Sequence, residues 1–181
     1  MSDGPTDDAA PDAILVALPS ADVVWGHRTA PDRAVLVSIP EPASGFRWLD
    51  EVRLIPTAVA DIAIEDAPFE VLAAPERIED SGIPTTIADV AGRDPSDLQA
   101  LLGALDAHGW RGEDWTEQAA VVCPACIDAQ PDPSHRHDAE RWYERHTVAI
   151  AGQPTEVETV LRLWIDEAPE RRVLLDLDEA L

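Results

Sequence analysis

Residues 94–109 read DPSDLQALLGALDAHG and carry the clearest helix signal in the chain. Asp94 can cap the helix, Pro95 suits its first turn, and Asp97 places negative charge at its positive N-terminus. Gly109 stands where a glycine is expected just beyond a helix end. Four leucines recur at helical spacing and form one apolar face, namely Leu98, Leu101, Leu102 and Leu105.

The chain before this helix is a series of short apolar runs. Each run is rich in β-branched residues, and prolines punctuate the series. Such runs are typical of strands in a mostly antiparallel sheet. The runs are 13–18, 33–39, 48–55, 59–64 and 69–73. Together with the helix they predict an α+β fold with one clear helix.

The chain after the helix gives two plain strand signals and one ambiguous segment. Residues 119–122 and 147–151 are short apolar strands. Segment 156–166 alternates like a strand, yet residues 155–158 form a capping-box pattern and its apolar residues also fit helical spacing. We favour a strand, because Val173, Leu175 and Leu177 alternate again after the Pro169 turn and would complete a hairpin.

Two cysteines and several histidines are concentrated between this helix and the predicted hairpin. Cys123 and Cys126 form a C-x2-C knuckle, which places two thiolates on one tight turn. His135 and His137 follow and would project from one side of a strand, so they can chelate together. Nitrogen and sulfur donors in a tetrahedral set suit zinc. The predicted ligands are therefore Cys123, Cys126, His135 and His137, and His146 can replace either histidine.

Two other interpretations of these residues remain open. The cysteines could be reduced thiols beside a polar loop. They could also form a redox pair, as in thioredoxin-like motifs, where the first cysteine begins a helix that lowers its pKa. Here residues 127–130 run directly into Pro131, which opposes a long helix after the knuckle. We therefore favour a zinc-knuckle-like loop that metal binding helps to fold.

Residues 105–110 and 121–126 together resemble a helix-GW-strand-CPxC segment of small uncharacterised proteins from actinobacteria and their phages. The resemblance covers about thirty residues that include the Gly109-Trp110 pair and the Cys-Pro-Ala-Cys knuckle. It implies a zinc-ribbon-like knuckle and brings no activity with it.

The chain has 181 residues, a length that suits one domain. We expect residues 1–12 to be a disordered acidic tail and residues 13–181 to be a single α+β domain. Within it, 13–92 is β-rich, and 93–181 holds the helix, the knuckle and the C-terminal hairpin. The tail lacks the basic and apolar regions of a signal peptide, and no apolar run is long enough to cross a membrane. These features predict a cytoplasmic protein.

The chain carries a formal net charge of −23, from 36 acidic residues against 13 basic ones. All thirteen basic residues are arginine. Such a surface keeps a protein soluble and repels nucleic acid and anionic membranes, so it favours a protein partner. A high-salt cytoplasm or mimicry of DNA phosphates would also explain the charge. The oligomeric state is not readable from the sequence.

Known catalytic motifs are matched poorly. A zinc nucleobase deaminase needs His-x-Glu, but neither His27 nor His108 has glutamate two positions later. A metallohydrolase pattern of the H-x-H-x-D-H type fails, because Asp138 comes one residue early. His27-Arg28-Thr29 matches one of the two motifs of two-histidine phosphoesterases, and the second is missing. The residues favour a non-catalytic role without deciding it.

Three hypotheses about function follow. The first is a non-catalytic interaction or assembly protein with one structural zinc site. The second is a zinc-dependent enzyme for a small or cationic substrate, with three protein ligands and a pocket containing Asp138, Glu140 or His146. The third is an acidic DNA-mimic inhibitor with carboxylates arrayed on one face, using Glu76, Glu79, Asp80 and Asp89.

Overall fold

The computed structural model of the chain describes residues 13–64, 67–116 and 145–180. They form strands and helices of an α+β protein, and they fall into two compact units that meet in sequence between Ile83 and Pro84. The β-rich part predicted for 13–92 thus contributes its last strand to the second unit. The predicted tail, residues 1–12, lies outside the described residues.

The first unit contains one seven-stranded sheet. Its strands run in the order β5-β6-β1-β2-β3-β4-β7, and every neighbouring pair is antiparallel except β1 with β6. This agrees with the predicted mostly antiparallel sheet. The strands are β1 Ala13–Ala17, β2 Val23–Ala30, β3 Arg33–Leu36, β4 Glu51–Arg53, β5 Ala58–Ile64, β6 Ala67–Ala73 and β7 Glu76–Glu79.

One face of this sheet forms the core of the first unit. Val16, Leu36 and Val52 are fully buried and pack into one apolar cluster. The described part of the unit contains a 3-10 turn, Pro42–Ser44, and no α-helix that could cover that face. The cluster draws its residues from β1, β2, β3, β4 and β6 of this one sheet.

The described residues of the second unit form a four-stranded antiparallel sheet with two helices. Its elements follow the order βαββαβ, and the sheet order is β11-β8-β10-β9. This is the arrangement called ferredoxin-like or split βαβ. The elements are β8 Thr85–Gly92, α1 Pro95–Ala107, β9 Arg111–Asp114, β10 Arg145–Ala151, α2 Pro154–Glu167 and β11 Arg172–Ala180.

The predicted helix is α1, and its signals behave as expected. Asp94 accepts a hydrogen bond from the backbone of Ser96, and Asp97 completes a capping box. Gly109 follows the helix with a φ of 79°, a left-handed conformation that glycine adopts without steric cost. Leu101 and Leu105 are fully buried against the other helix and the sheet.

The strand prediction for residues 156–166 is wrong, because this segment lies in helix α2. Four residues at helical spacing pack into the core, namely Val157, Val160, Leu161 and Trp164, whereas Leu163 is 52% exposed. A helix can bury these four together, but a strand would divide them between two faces. The C-terminal hairpin is therefore also wrong, since β11 pairs with β8. The described residues contain two α-helices, where the sequence predicted one clear helix.

A β-bulge in β11 changes which of its side chains point to the core. The register shifts between Leu174 and Asp176, so Leu175 is the extra residue. Leu174 and Leu177 both pack against the core, while Val173 and Leu175 are about half exposed. The alternation of 173, 175 and 177 in the sequence therefore does not describe one face.

A buried ion pair joins α1, α2 and β11. The Arg172 guanidinium donates to Asp97 Oδ1 at 2.8 Å and to the backbone oxygen of Trp164 at 2.8 Å. The indole N–H of Trp164 in turn donates to the backbone oxygen of Asp97. Burial alone would lower the pKa of Arg172, but its contacts with Asp97 and Glu167 outweigh burial and raise that pKa.

Neither of the helices in the described part of the chain has both the length and the apolar character that a membrane crossing requires.

Candidate functional site

Four of the five predicted ligand positions lie outside the described residues. Cys123, Cys126, His135 and His137 all belong to segment 117–144. His146 is the second residue of β10 and can be placed. Within 13–64, 67–116 and 145–180, no group of three or more histidine, cysteine or acidic side chains is arranged to hold a metal ion.

The ends of the structure on either side of segment 117–144 lie next to each other. The backbone N–H of Trp115 donates to the oxygen of Thr147 at 2.8 Å. One residue further on, the Thr116 hydroxyl accepts from the backbone N–H of Thr147 at 3.1 Å. The chain therefore leaves and re-enters the sheet at one place, and His146 lies beside that place.

His146 is buried on the helix-facing side of the sheet. Its side chain is 8% exposed, and in register it lies opposite Val90, a residue of the core cluster. Its Nδ1 atom lies 3.5 Å from Asp114 Oδ2 and 3.3 Å from Thr116 Oγ1. Strand pairing between β9 and β10 thus brings a carboxylate and a hydroxyl to one nitrogen of the imidazole.

Asp114 is held in place by Thr116. Its Oδ1 atom accepts from the backbone N–H of Thr116 at 2.9 Å and from the Thr116 hydroxyl at 2.5 Å. This arrangement leaves Oδ2 directed to His146. Nothing in the sequence marks Asp114 or Thr116 as partners of His146, because they are about thirty residues away and meet it only through strand pairing.

The opposite face of the same sheet carries an ion pair. Thr147 donates its hydroxyl to Asp89 Oδ1 at 2.7 Å, and Arg145 pairs with the other carboxylate oxygen. Partial burial would raise the pKa of Asp89, but the hydrogen bonds from Arg145 and Thr147 and the charge of Arg145 lower it. Asp89 is therefore a satisfied carboxylate.

The first unit has an open cleft of about 480 Å³. In register, Val35, Glu51 and Glu79 are neighbours across β3, β4 and β7. Asp80, Leu49 and Ile83 also line the cleft. Arg33 pairs with Glu51 and Arg47 pairs with Asp80, so much of the negative charge of this lining is neutralised within the unit.

Three of the four carboxylates named for DNA mimicry have arginine partners. Glu76 lies 3.3 Å from Arg53, Asp80 lies 3.0 Å from Arg47, and Asp89 pairs with Arg145. A backbone hydrogen bond from Gly82 lowers the pKa of Asp80, and with the help of Arg47 and Arg77 it outweighs the opposing effect of burial. These pairs reduce the negative charge that the carboxylates present to a partner.

No protein-family model matches this chain, and no curated protein sequence matches it. Among solved structures, it is similar to a crystal structure of a hypothetical protein from Neisseria gonorrhoeae, at 14% sequence identity and a TM-score of 0.32. The match covers 93% of this chain and 91% of that chain. Similarity at this level identifies neither a family nor an activity.

Proposed function

We propose that the protein is a non-catalytic interaction or assembly protein that is stabilised by one structural zinc ion. Cys123 and Cys126 supply two thiolates, His146 supplies an imidazole, and His135 or His137 completes a tetrahedral set. The observation that carries the proposal is the contact of His146 Nδ1 with the carboxylate of Asp114.

Zinc-bound histidines have a characteristic environment, and the contact of His146 with Asp114 is compatible with it. A histidine that ligates metal through one nitrogen almost always donates the other N–H to a carboxylate, a backbone carbonyl or water. At His146, Oδ2 of Asp114 lies 3.5 Å from Nδ1 and would be the carboxylate of such an arrangement. The ring is buried and lies beside both ends of segment 117–144, the segment of the chain that contains both cysteines.

The location of His146 beside both ends of segment 117–144 supports a structural role for the metal. Closing a connection of about thirty residues costs on the order of 3 kcal/mol of chain entropy, beyond a constant for any closure. Zinc bound by residues of this segment and by His146 would offset this cost, because structural zinc binding contributes directly to folding. Two zinc thiolates also require reduced cysteines, which agrees with a cytoplasmic protein.

The charge and the exposed apolar residues support a protein partner. A net charge of −23 repels nucleic acid and anionic membranes and attracts basic protein surfaces. On β11, Val173 and Leu175 are 47% and 49% exposed, beside the exposed carboxylates of Asp176 and Asp178. A partner with basic and apolar side chains would match this strand.

The direct test is metal analysis of the full-length protein purified without added metal. We expect one zinc ion per chain in the wild type and a large loss in the Cys123→Ser and His146→Gln variants. His27→Gln is the matched control, since His27 is exposed on β2 of the first unit. A wild-type protein that contains no zinc, and takes up none on titration, would refute the proposal.

Cobalt substitution separates a structural site from a catalytic one. A closed set of four protein ligands gives a tetrahedral cobalt spectrum that does not respond to added cyanide or azide. A catalytic site keeps an open position, so its spectrum would change on addition of these ligands. A change of that kind would favour the zinc-dependent enzyme over the interaction protein.

A further inference from the structure

We infer that β11 is an interaction surface, along which an extended segment of a partner protein with alternating basic and apolar residues adds as a further strand. β11 is the first strand in the sheet order β11-β8-β10-β9, and none of the described strands pairs with its outer side. Such an outer strand presents backbone N–H and C=O groups with which another chain can pair. The inference rests on the proposed interaction role and names the class of partner that this role requires.

The two outer strands of this sheet differ in length and composition. β9 has four residues, Arg-Gly-Glu-Asp, and is therefore the short, charged kind of edge that hinders pairing with other chains. β11 has nine residues, and its Val173 and Leu175 are about half exposed. An added strand would gain apolar contacts on β11 that β9 does not offer.

Charged and apolar side chains alternate in the second half of β11. Asp176 and Asp178 lie in register with Asp89 and Ile87, on the face of the sheet away from the helices. Leu177 points to the other face, where it packs against the core and stays partly exposed. The side chains of an added strand also alternate between two faces. A partner with basic, apolar and basic residues in succession would therefore match these three positions.

The two aspartates are not neutralised within the described part of the chain, as several other carboxylates are. Asp80 and Glu76 lie 3.0 Å and 3.3 Å from arginine side chains. Asp176 and Asp178 are exposed, and no arginine among the described residues makes an ion pair with either of them. Their charge is therefore available to a partner, and opposite charges on neighbouring strands stabilise strand pairing.

The same charge opposes a second copy of this chain as the occupant. Antiparallel pairing of two β11 strands centred on Leu177 would place Asp176 of one copy opposite Asp178 of the other, and like charges in that position are destabilising. The β-bulge at Leu175 also interrupts the edge and hinders long, unselective pairing. The net charge of −23 repels a further copy and attracts a basic partner.

A peptide of alternating arginine and valine residues, with blocked ends and the length of β11, is the probe. We expect it to bind the full-length wild type and to slow hydrogen exchange of backbone amides in β11, because an added strand forms hydrogen bonds with them. The control peptide has the same composition but carries all its arginines at one end, so its charge is equal and its alternation is lost. Equal binding of the two peptides, or binding without slower exchange in β11, would overturn the inference.

Variants of exposed side chains locate the surface. Asp178→Asn should weaken binding of the alternating peptide about two- to five-fold, which is the size of one cross-strand charge pair. Val173→Ser should weaken binding too, because it removes apolar contact area. The matched control is Asp106→Asn, which removes one carboxylate from an exposed position on α1 and should leave the affinity unchanged. Wild-type affinity in both β11 variants, or an equal loss in the control, would contradict the assignment of the surface to β11.

Sedimentation velocity of the protein without peptide tests a second copy as the occupant. We expect a species that Val173→Ser does not change. A dimer that this variant dissociates would show that another copy covers β11 and would overturn the inference.

Metal analysis separates the failure of this inference from the failure of the proposed function. A wild type that contains zinc but does not bind the alternating peptide at about 1 mM would overturn the inference alone. A wild type without zinc that binds the peptide along β11 would refute the proposed zinc site and leave the inference standing. Circular dichroism confirms that each variant is folded, and if a variant does not fold, the wild-type exchange data decide.

Discussion

The side chains of consecutive residues at the start of β10 point to opposite faces of the sheet. His146 points to the helix-facing side, where Val148 and Ile150 form the core. Arg145 and Thr147 alternate with it and meet Asp89 on the other side. Three consecutive residues therefore build a buried imidazole site and an ion pair that do not compete for the same partners.

Asp89 provides a prediction about acid stability. Its pKa is lowered below the ordinary value of 3.8, because the hydrogen bonds from Arg145 and Thr147 stabilise the charged form. A lowered pKa means that Asp89 contributes stability above pH 3.8, and that this contribution is lost as the pH falls through the folded-state pKa.

NMR titration of the Asp89 carboxyl carbon measures that pKa. We expect a midpoint below 3.8 in the wild type and a shift back towards 3.8 in Thr147→Val, which removes the donor at 2.7 Å. A wild-type midpoint above 3.8 would show that burial outweighs the two hydrogen bonds.

At the scale of elements, β8 and α1 pack so closely that only glycine, which has no side chain, fits at position 92 between them. A Cβ atom on Gly92 would lie 2.8 Å from the Cβ of Asp97, an atom one bond from the helix backbone. Asp97 cannot move aside, because it is buried and bound to Arg172. Gly103 on the same helix is exposed, and a Cβ there would meet nothing within 4 Å.

Alanine substitutions at these two glycines should therefore have opposite effects. Gly92→Ala should lower the free energy of unfolding by about 1–3 kcal/mol, because the methyl group overpacks the junction. Gly103→Ala should raise it by about 1 kcal/mol, because alanine favours a helix over glycine. Urea unfolding at pH 7 measures both, and a Gly92→Ala protein as stable as the wild type would contradict the close packing.

At the scale of the whole molecule, charge opposes compactness. Thirty-six acidic residues against 13 basic ones give a net charge of −23, and folding concentrates that charge. Local arginine pairs, such as Arg47 with Asp80 and Arg33 with Glu51, relieve only part of the repulsion. Stability should thus depend on ionic strength.

Added NaCl should raise the melting temperature. Between 0.01 M and 0.1 M salt the screening length falls from about 30 Å to about 10 Å, so repulsion between distant carboxylates is largely removed. Each kcal/mol recovered should raise Tm by about 2–4 °C for a chain of this size. Chloride is preferable to sulfate in this experiment, because sulfate stabilises folded proteins by a different mechanism. A melting temperature that falls with NaCl would contradict the argument.

The sequence by itself determined those features whose causes are local. The cap, proline and leucine spacing of α1 are contained in sixteen residues, and the helix is where they predict it. Proline-bounded runs located β1, β3, β5 and β6, because strand propensity and chain breaks act over a few residues. The knuckle of Cys123 and Cys126 is also a local pattern, and zinc binding there stays a prediction.

Tertiary structure decided what depends on distant partners. The apolar residues of segment 156–166 fit both the two-residue period of a strand and the 3.6-residue period of a helix. The segment is a helix because Val157, Leu161 and Trp164 pack together beside α1 over the sheet. Which side chains of β11 face the core depends on a β-bulge that forms only where β11 pairs with β8. Asp114 and Thr116 become partners of His146 only when β9 pairs with β10. Strand pairing joins residues that are far apart in sequence, so no local pattern records it.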